Sequence, residues 1–283
     1  MAVARSAAPA QGAQQQTIAI LRNCQRVWAV GGVHGQAELL GRLHEQIAER
    51  WQYFDRIVYL GNIIGHGDDC LGAIVEALAF RRRILAVPNA IPEDIVFLRG
   101  RQEEMWQKLL QLQFAADPAG VLEWLLGHGV GATLESYGGS LREGRAEARH
   151  GALSLTRWTQ NLRASMNAHE GHTQFFASLR RAAYSDDEGL LLVSAGLDPT
   201  RALNQQGDTF WWGHPAFGEE VKQFSPFRCV IRGSSATQPG ILAEPGLITL
   251  DGGSAFGGPL VAACIDVEGQ LVEEIVVGHP EAG

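Results

Sequence analysis

Arg26-Val27-Trp28-Ala29-Val30-Gly31-Gly32-Val33-His34-Gly35 decides how the rest of the chain is read. Its first five residues describe a buried strand, and the Gly-rich segment behind them describes a tight turn. Residues 37–51 follow with Leu39, Leu40, Leu43 and Ile47 at helical spacing. The pattern repeats: Arg56-Ile57-Val58-Tyr59-Leu60 runs into Gly61-Asn62-Ile63-Ile64-Gly65-His66-Gly67, with a helix expected across Cys70 to Arg82. A short strand is expected at 83–87. Ile95-Val96-Phe97-Leu98 then leads into Arg99-Gly100-Arg101-Gln102-Glu103, with helices to about Gly127. This β-turn-α repetition predicts an α/β fold whose functional turns lie at the carboxyl ends of its strands.

The second half reads differently. Gly138 to Ala168 is polar and amphipathic, with Leu153, Leu155, Trp158 and Leu162, and predicts a helical insertion at about 139–170. Leu190–Val193, Arg228–Ile231, Leu247–Leu250, Leu260–Asp266 and Leu271–Val277 read as strands with few helices between them, so this half is expected to be mixed or antiparallel. Residues 22–278 are taken as one domain. Residues 1–21 are taken as a disordered tail, because the segment to Gln16 is rich in Ala, Gln and Ser and lacks the apolar core of a secretion signal.

Composition narrows the possible functions. The 283 residues are 46% hydrophobic and 19% charged, with a net charge of -8, which suits a globular protein with a sizeable core. Arg81-Arg82-Arg83 is the one basic run and suits a helix end. Nucleic acid is thereby disfavoured as a partner, since backbone binding needs clustered Lys and Arg. No apolar run approaches the roughly 20 residues of a membrane span. Cys24, Cys70, Cys229 and Cys264 form no CxxC pair and sit in or beside apolar segments, which predicts reduced core cysteines in a cytoplasmic protein.

The ordered turns GGVHG (31–35), GNIIGHG (61–67), GRQEEM (100–105), VSAGLDP (193–199) and IRGSS (231–235), with a closing LDGGSAFGGPL (250–260), resemble the calcineurin-like metallophosphoesterases. The nearest branch is that of the bacterial phosphoprotein phosphatases and symmetrical diadenosine tetraphosphatases. That family's turns read GDxHG, GDxxDRG, GNHE, a strand ending in HAG, and a later GH. The resemblance implies a four-layer α/β/β/α sandwich with two mixed sheets. It also implies two divalent metals (Mn, Fe or Zn) about 3.5–4 Å apart, which polarise a phosphoryl oxygen and generate the nucleophile.

Carried over position by position, the resemblance puts Gly32 where the family has a ligand Asp, and keeps the ligand His as His34. Asn62 stands for the bridging Asp, Gly65 for the Asp that orients the acid His, and His66 for a phosphate-contacting Arg. Arg101 stands for the ligand Asn, Gln102 for the acid His, and Ser194 and Ser234 for the two remaining ligand His. A substrate Arg of the family has no clear counterpart near Trp211-Trp212-Gly213-His214-Pro215. One imidazole and one amide cannot hold two dications against water, and Arg101 puts a permanent cation where a metal belongs. No cofactor is therefore expected, and neither a metal nor a catalytic residue.

The expected function is that of a pseudophosphatase, a binding or regulatory module for a protein partner or phosphorylated ligand, with Arg101, His34 and His66 as a possible anion site. Alternatives are a divergent metal-dependent phosphoesterase with an unconventional site and a structural subunit of a larger assembly. Regrouped ligand sets at His34, His66, Asp68, Asp69 and Asp251, or at His169, Glu170 and His172, would serve the former. His34 is otherwise expected to persist because its ring bonds within the turn, and Glu103 to brace its helix start. Phe210-Trp211-Trp212 and the insertion are candidate contact surfaces.

Overall fold

The computed structural model describes residues 18–279. In chain order its elements are β1 (Ile18–Leu21), β2 (Arg26–Val30), α1 (Ala37–Arg50), β3 (Asp55–Tyr59), α2 (Cys70–Leu85), β4 (Ile95–Phe97) and α3 (Arg101–Leu110). Then come α4 (Pro118–Gly127), α5 (Val130–Ser136), α6 (Leu141–His150), α7 (Ala152–Ala168), α8 (His172–Ser178), β5 (Ala182–Ser185) and β6 (Leu190–Val193). The chain closes with α9 (Thr209–Trp212), β7 (Cys229–Arg232), β8 (Gly240–Glu244), β9 (Leu247–Asp251), β10 (Leu260–Asp266) and β11 (Leu271–Val277).

Side chains alternate across a strand, and β2 shows what that alternation builds. Trp28 and Val30 enter a core shared with α1, α2 and α3, while Val27 and Ala29 enter a second core between two sheets. One sheet has the order β11-β10-β2-β3-β4, with β2, β3 and β4 parallel and β10 antiparallel to both neighbours. The other has the order β1-β5-β6-β7-β9-β8 and is also mixed. A third core, with Phe210, Trp211, Phe217, Phe224 and Phe227, covers that sheet's outer face. The layers are those of an α/β/β/α sandwich, and the last is thin, made of α9 and loops.

Two expectations change. Ile18–Leu21 is not tail: it pairs in parallel with Ala182–Ser185 as β1, a partner too distant in sequence for local pattern to reveal. The rest of the expected tail, residues 1–17, lies outside the described residues. Residues 83–87 form no strand, because α2 continues to Leu85, burying Phe80 and Ile84 on the face that already carries Ile74 and Ala77. The segment expected to be helical at about 139–170 contains α6 and α7, packed through Trp158 against Gly144, where an added Cβ would lie 2.7 Å from the indole.

Capping explains where the helices near the site begin. Asp69 accepts from Gly72 N at 2.7 Å at the start of α2, and Asp117 from Gly120 N at 3.0 Å ahead of Pro118. Each cap satisfies an amide that has no partner inside the helix.

Candidate functional site

The carboxyl ends of β2, β3, β4, β6 and β7 point their turns into one chamber. The turn after β3 carries four left-handed residues in six, Gly61 (φ 86°), Asn62 (56°), Gly65 (90°) and His66 (62°). The turn after β2 hangs from it: Val33 N and His34 N both donate to Asn62 O, at 2.9 and 2.7 Å, and Gly35 N donates to Ile63 O at 2.8 Å. Gly67 N returns a bond to His34 O at 2.8 Å.

Glu103 holds this knot. Fully buried at the start of α3, it accepts from Asn62 N (2.9 Å), Ile63 N (2.7 Å), Ile64 N (3.3 Å) and Gly100 N (2.8 Å). Burial raises its carboxyl above the ordinary value, opposed by the amides. The expected helix brace is thus also a brace across two turns. No local signal marked the wider role, because Glu103 sits in a polar stretch, Arg99-Gly100-Arg101-Gln102-Glu103-Glu104.

The side chains of these strand-end turns interlock. Asn62 Oδ1 accepts from Gln102 N at 3.0 Å, so the carboxamide caps the first turn of α3. Gln102 donates through Nε2 to His128 O at 2.8 Å. Its side chain also fills the space beside Gly65, where an added Cβ would lie 2.3 Å from Gln102 Oε1. The His34 ring lies over Gly32, whose added Cβ would meet His34 Nε2 at 2.9 Å. The expectation for His34 needs correcting. Its backbone is bonded in the turn, but its Nδ1 is enclosed without a partner. Gln102 Oε1, Arg101 Nε and Ser194 Oγ are enclosed and unpartnered in the same way.

The chamber has a volume of about 730 Å³ and gathers His34, Asn62, His66, Arg101, Gln102 and Ser234 in one wall system. Ser194 sits behind it, its Oγ 2.9 Å from where a Gly61 Cβ would be. The two histidine rings are 5.4 Å apart and edge-on. Burial lowers His34 to about 3, with His66 and Arg101 adding repulsion. Burial likewise lowers His66, again with Arg101 contributing. Both imidazoles are therefore neutral at pH 7, and the positive charge of this end belongs to Arg101.

Sequence reasoning missed a second guanidinium. Arg232, at the end of β7, also lines the chamber, with Nε donating to Thr249 Oγ1 at 3.0 Å and its head packed on Gly218. The signal was an Arg at a strand end beside Gly233, in a turn read only for its serines. Trp212, His128 and Phe256 were missed as lining too. Arg101 stacks over Trp212 at 5.7 Å, whereas Phe210 and Trp211 are core, so only one residue of that aromatic cluster reaches the site.

The residues present do not fit two dications. Asp251, a carboxylate that lines the chamber, is committed to bracing its own loop, accepting from Ser235 N at 2.8 Å and Gly253 N at 3.1 Å. Burial raises Asp251 above the ordinary carboxylate value. Asp68 is exposed and Asp69 caps α2, so the regrouped set does not converge. His172 is bonded through Nδ1 to Tyr137 Oη at 2.7 Å, and Glu170 is exposed. Among the described residues no three His, Cys, Asp or Glu side chains come together in a way that could hold a metal ion. Bridged dications need anionic ligands, and at the positions to which the resemblance points there are a glycine, Gly32, and an amide, Asn62, with the Arg101 guanidinium beside them.

Comparison with known proteins agrees with the layers. A candidate diadenosine tetraphosphatase superposes with a TM-score of 0.53 at 19% identity, over 93% of this chain and 98% of that one. A serine/threonine phosphatase of Saccharomyces cerevisiae with similarity to human phosphatase PP5 gives 0.52 at 13%, over 96% and 88%. A cold-active protein tyrosine phosphatase gives 0.50 at 11%, over 95% and 83%. No family model and no curated protein sequence matches the chain. The chain has the calcineurin-like metallophosphoesterase fold. No helix among the described residues is long and apolar enough to cross a membrane.

Proposed function

We propose that the chain is a non-hydrolysing relative of the phosphoesterases, a binding or regulatory module that takes a phosphoryl group into the emptied metal chamber. The observation that carries this reading is Arg101. Its guanidinium stands at a metal-ligand position, faces the chamber, forms no salt bridge among the described residues, and keeps Nε enclosed and unpartnered. A desolvated cation in that condition stabilises an anion more than it stabilises the fold. The neutral His34 and His66 rings offer hydrogen-bonding nitrogens beside it. The four free cysteines suit a reducing cytoplasm, and the helical insertion offers a surface for a protein partner.

Calorimetry with inorganic phosphate tests the reading. Binding is expected, and Arg101→Ala should weaken it about 10- to 100-fold, the equivalent of a hydrogen bond to a charged group at about 1.5–3 kcal/mol. A phosphoesterase assay with added manganese is expected to show no turnover. Turnover that disappears in His34→Ala would establish the divergent-hydrolase alternative instead.

A further inference from the structure

We propose that the open side of the sandwich, where β1 and β4 end the two sheets, takes an extended acidic segment of a partner protein as an added strand on β1. The proposal is independent of the chamber and of the phosphoryl reading.

Both sheets stop on this side. β1 is the last strand of one and β4 the last of the other, so each has a strand neighbour on one flank only. The end of β4 is closed by residues that lead into β5. Arg180 N donates to Phe97 O at 2.9 Å, and Arg99 N donates to Arg180 O at 2.7 Å. β1 has no such cover: among the described residues β5 is its one strand partner. Its sequence, Ile-Ala-Ile-Leu, carries none of the Lys, Pro or charge that usually guards an open edge against added strands.

Between the two edges lies a slot of about 500 Å³. Residues 18–20 of β1 form one wall, Ile95–Phe97 form the other, and Ile91, 43% exposed, adds apolar surface. An extended backbone laid along β1 would bond to the free edge and place alternate side chains in this slot.

Charge selects the occupant. The chain carries a net charge of -8, yet the charged side chains that line the slot are Arg22, Arg81 and Arg180 against Glu93 alone. Arg22 and Arg81 form no ion pair among the described residues. Arg81 is the member of the 81–83 run that reaches the slot. A second copy of the chain is a poor occupant, because a two-fold contact would set Arg22 and Arg81 against their own counterparts. A segment that alternates apolar and acidic residues fits both features: its apolar side chains enter the slot and its carboxylates meet the guanidiniums.

The test uses the full chain and a fluorescein-labelled peptide of four Val-Glu repeats, read by fluorescence polarisation. That peptide is expected to bind about 10-fold tighter than its Val-Lys counterpart, the combined effect of several part-exposed ion pairs. Arg22→Glu together with Arg81→Glu should reverse the preference and leave phosphate binding in the chamber unchanged, which also shows that the fold is intact. N-methylation of alternate peptide amides should abolish binding in one frame and spare it in the other, because a strand's N–H groups point alternately to its two flanks. Equal effects in both frames overturn the added strand. No binding of the Val-Glu peptide, or a charge preference unmoved by the double reversal, overturns the proposal. Tighter binding of an oligothymidine than of the peptide, lost in the same variant, would assign the slot to nucleic acid and overturns it too. So does self-association of the wild type, read by sedimentation, that the double reversal removes.

Discussion

Glu103→Gln is the smallest change that separates a bracing carboxylate from an inert buried one. In the native protein Glu103 Oε1 accepts from the amides of Ile63 and Ile64, and Oε2 from those of Asn62 and Gly100. An amide keeps one acceptor oxygen and turns an NH₂ group toward the other pair. Two charge-assisted bonds are lost at about 1.5–3 kcal/mol each, and the lower desolvation cost of a neutral group offsets part of that. The expected loss is about 2–4 kcal/mol, read as a shift of the urea midpoint at constant slope. Because Asn62 lines the chamber, and Gly100 directly precedes Arg101, phosphate affinity should fall along with stability. A variant within about 0.5 kcal/mol of the wild type, the range of an ordinary surface substitution, would refute the bracing role.

Acid should loosen the fold through the same chamber. His34 lies near 3 when folded against 6.5 ordinarily, so in that window the unfolded chain binds a proton that folded His34 does not. Stability is then present above about pH 6.5 and is lost as pH falls toward 3, at up to about 1.4 kcal/mol per pH unit for each such histidine. Urea midpoints at pH 7, 6 and 5 should show this slope, His34→Gln should flatten it, and bound phosphate should reduce it by favouring the protonated ring. Gly65→Ala meets both a left-handed backbone (φ 90°) and the Gln102 side chain 2.3 Å from the new Cβ, and should cost about 1–3 kcal/mol by thermal or urea unfolding.

What the sequence made legible was local. The strand-turn-helix units at Arg26–Gly35 and Arg56–Gly67 stand where their periodicity put them, because a buried parallel strand and a glycine turn are written in adjacent residues. The gathering of His34, Asn62, His66, Arg101 and Gln102 in one chamber followed from the order of the turns. What stayed hidden was nonlocal. The pairing of β1 with β5 depends on a partner far along the chain, and Arg232 and Phe256 become chamber residues only when the two sheets stack. The extension of α2 over Arg83 to Leu85 was obscured because β-branched residues next to an arginine run mimic a strand, while burial against α1 decided the matter.

The residues at the strand ends pack as one unit. Gln102 occupies the space that any side chain at position 65 would need, and the His34 ring covers Gly32. The Asn62 carboxamide bonds the amide of Gln102, and Arg101 rests on Trp212. An acidic ligand introduced at one position therefore meets space that a neighbour already fills. Asp at position 65 strikes Gln102, Asp at position 32 must push the His34 ring aside, and either leaves Arg101 repelling the incoming cation. Contacting residues are non-additive in their energetics, so partial restorations should be worse than the wild type in stability while still binding no manganese. On the proposed reading, such interlocking keeps Arg101 facing the chamber beside neutral imidazoles, the condition that anion binding requires.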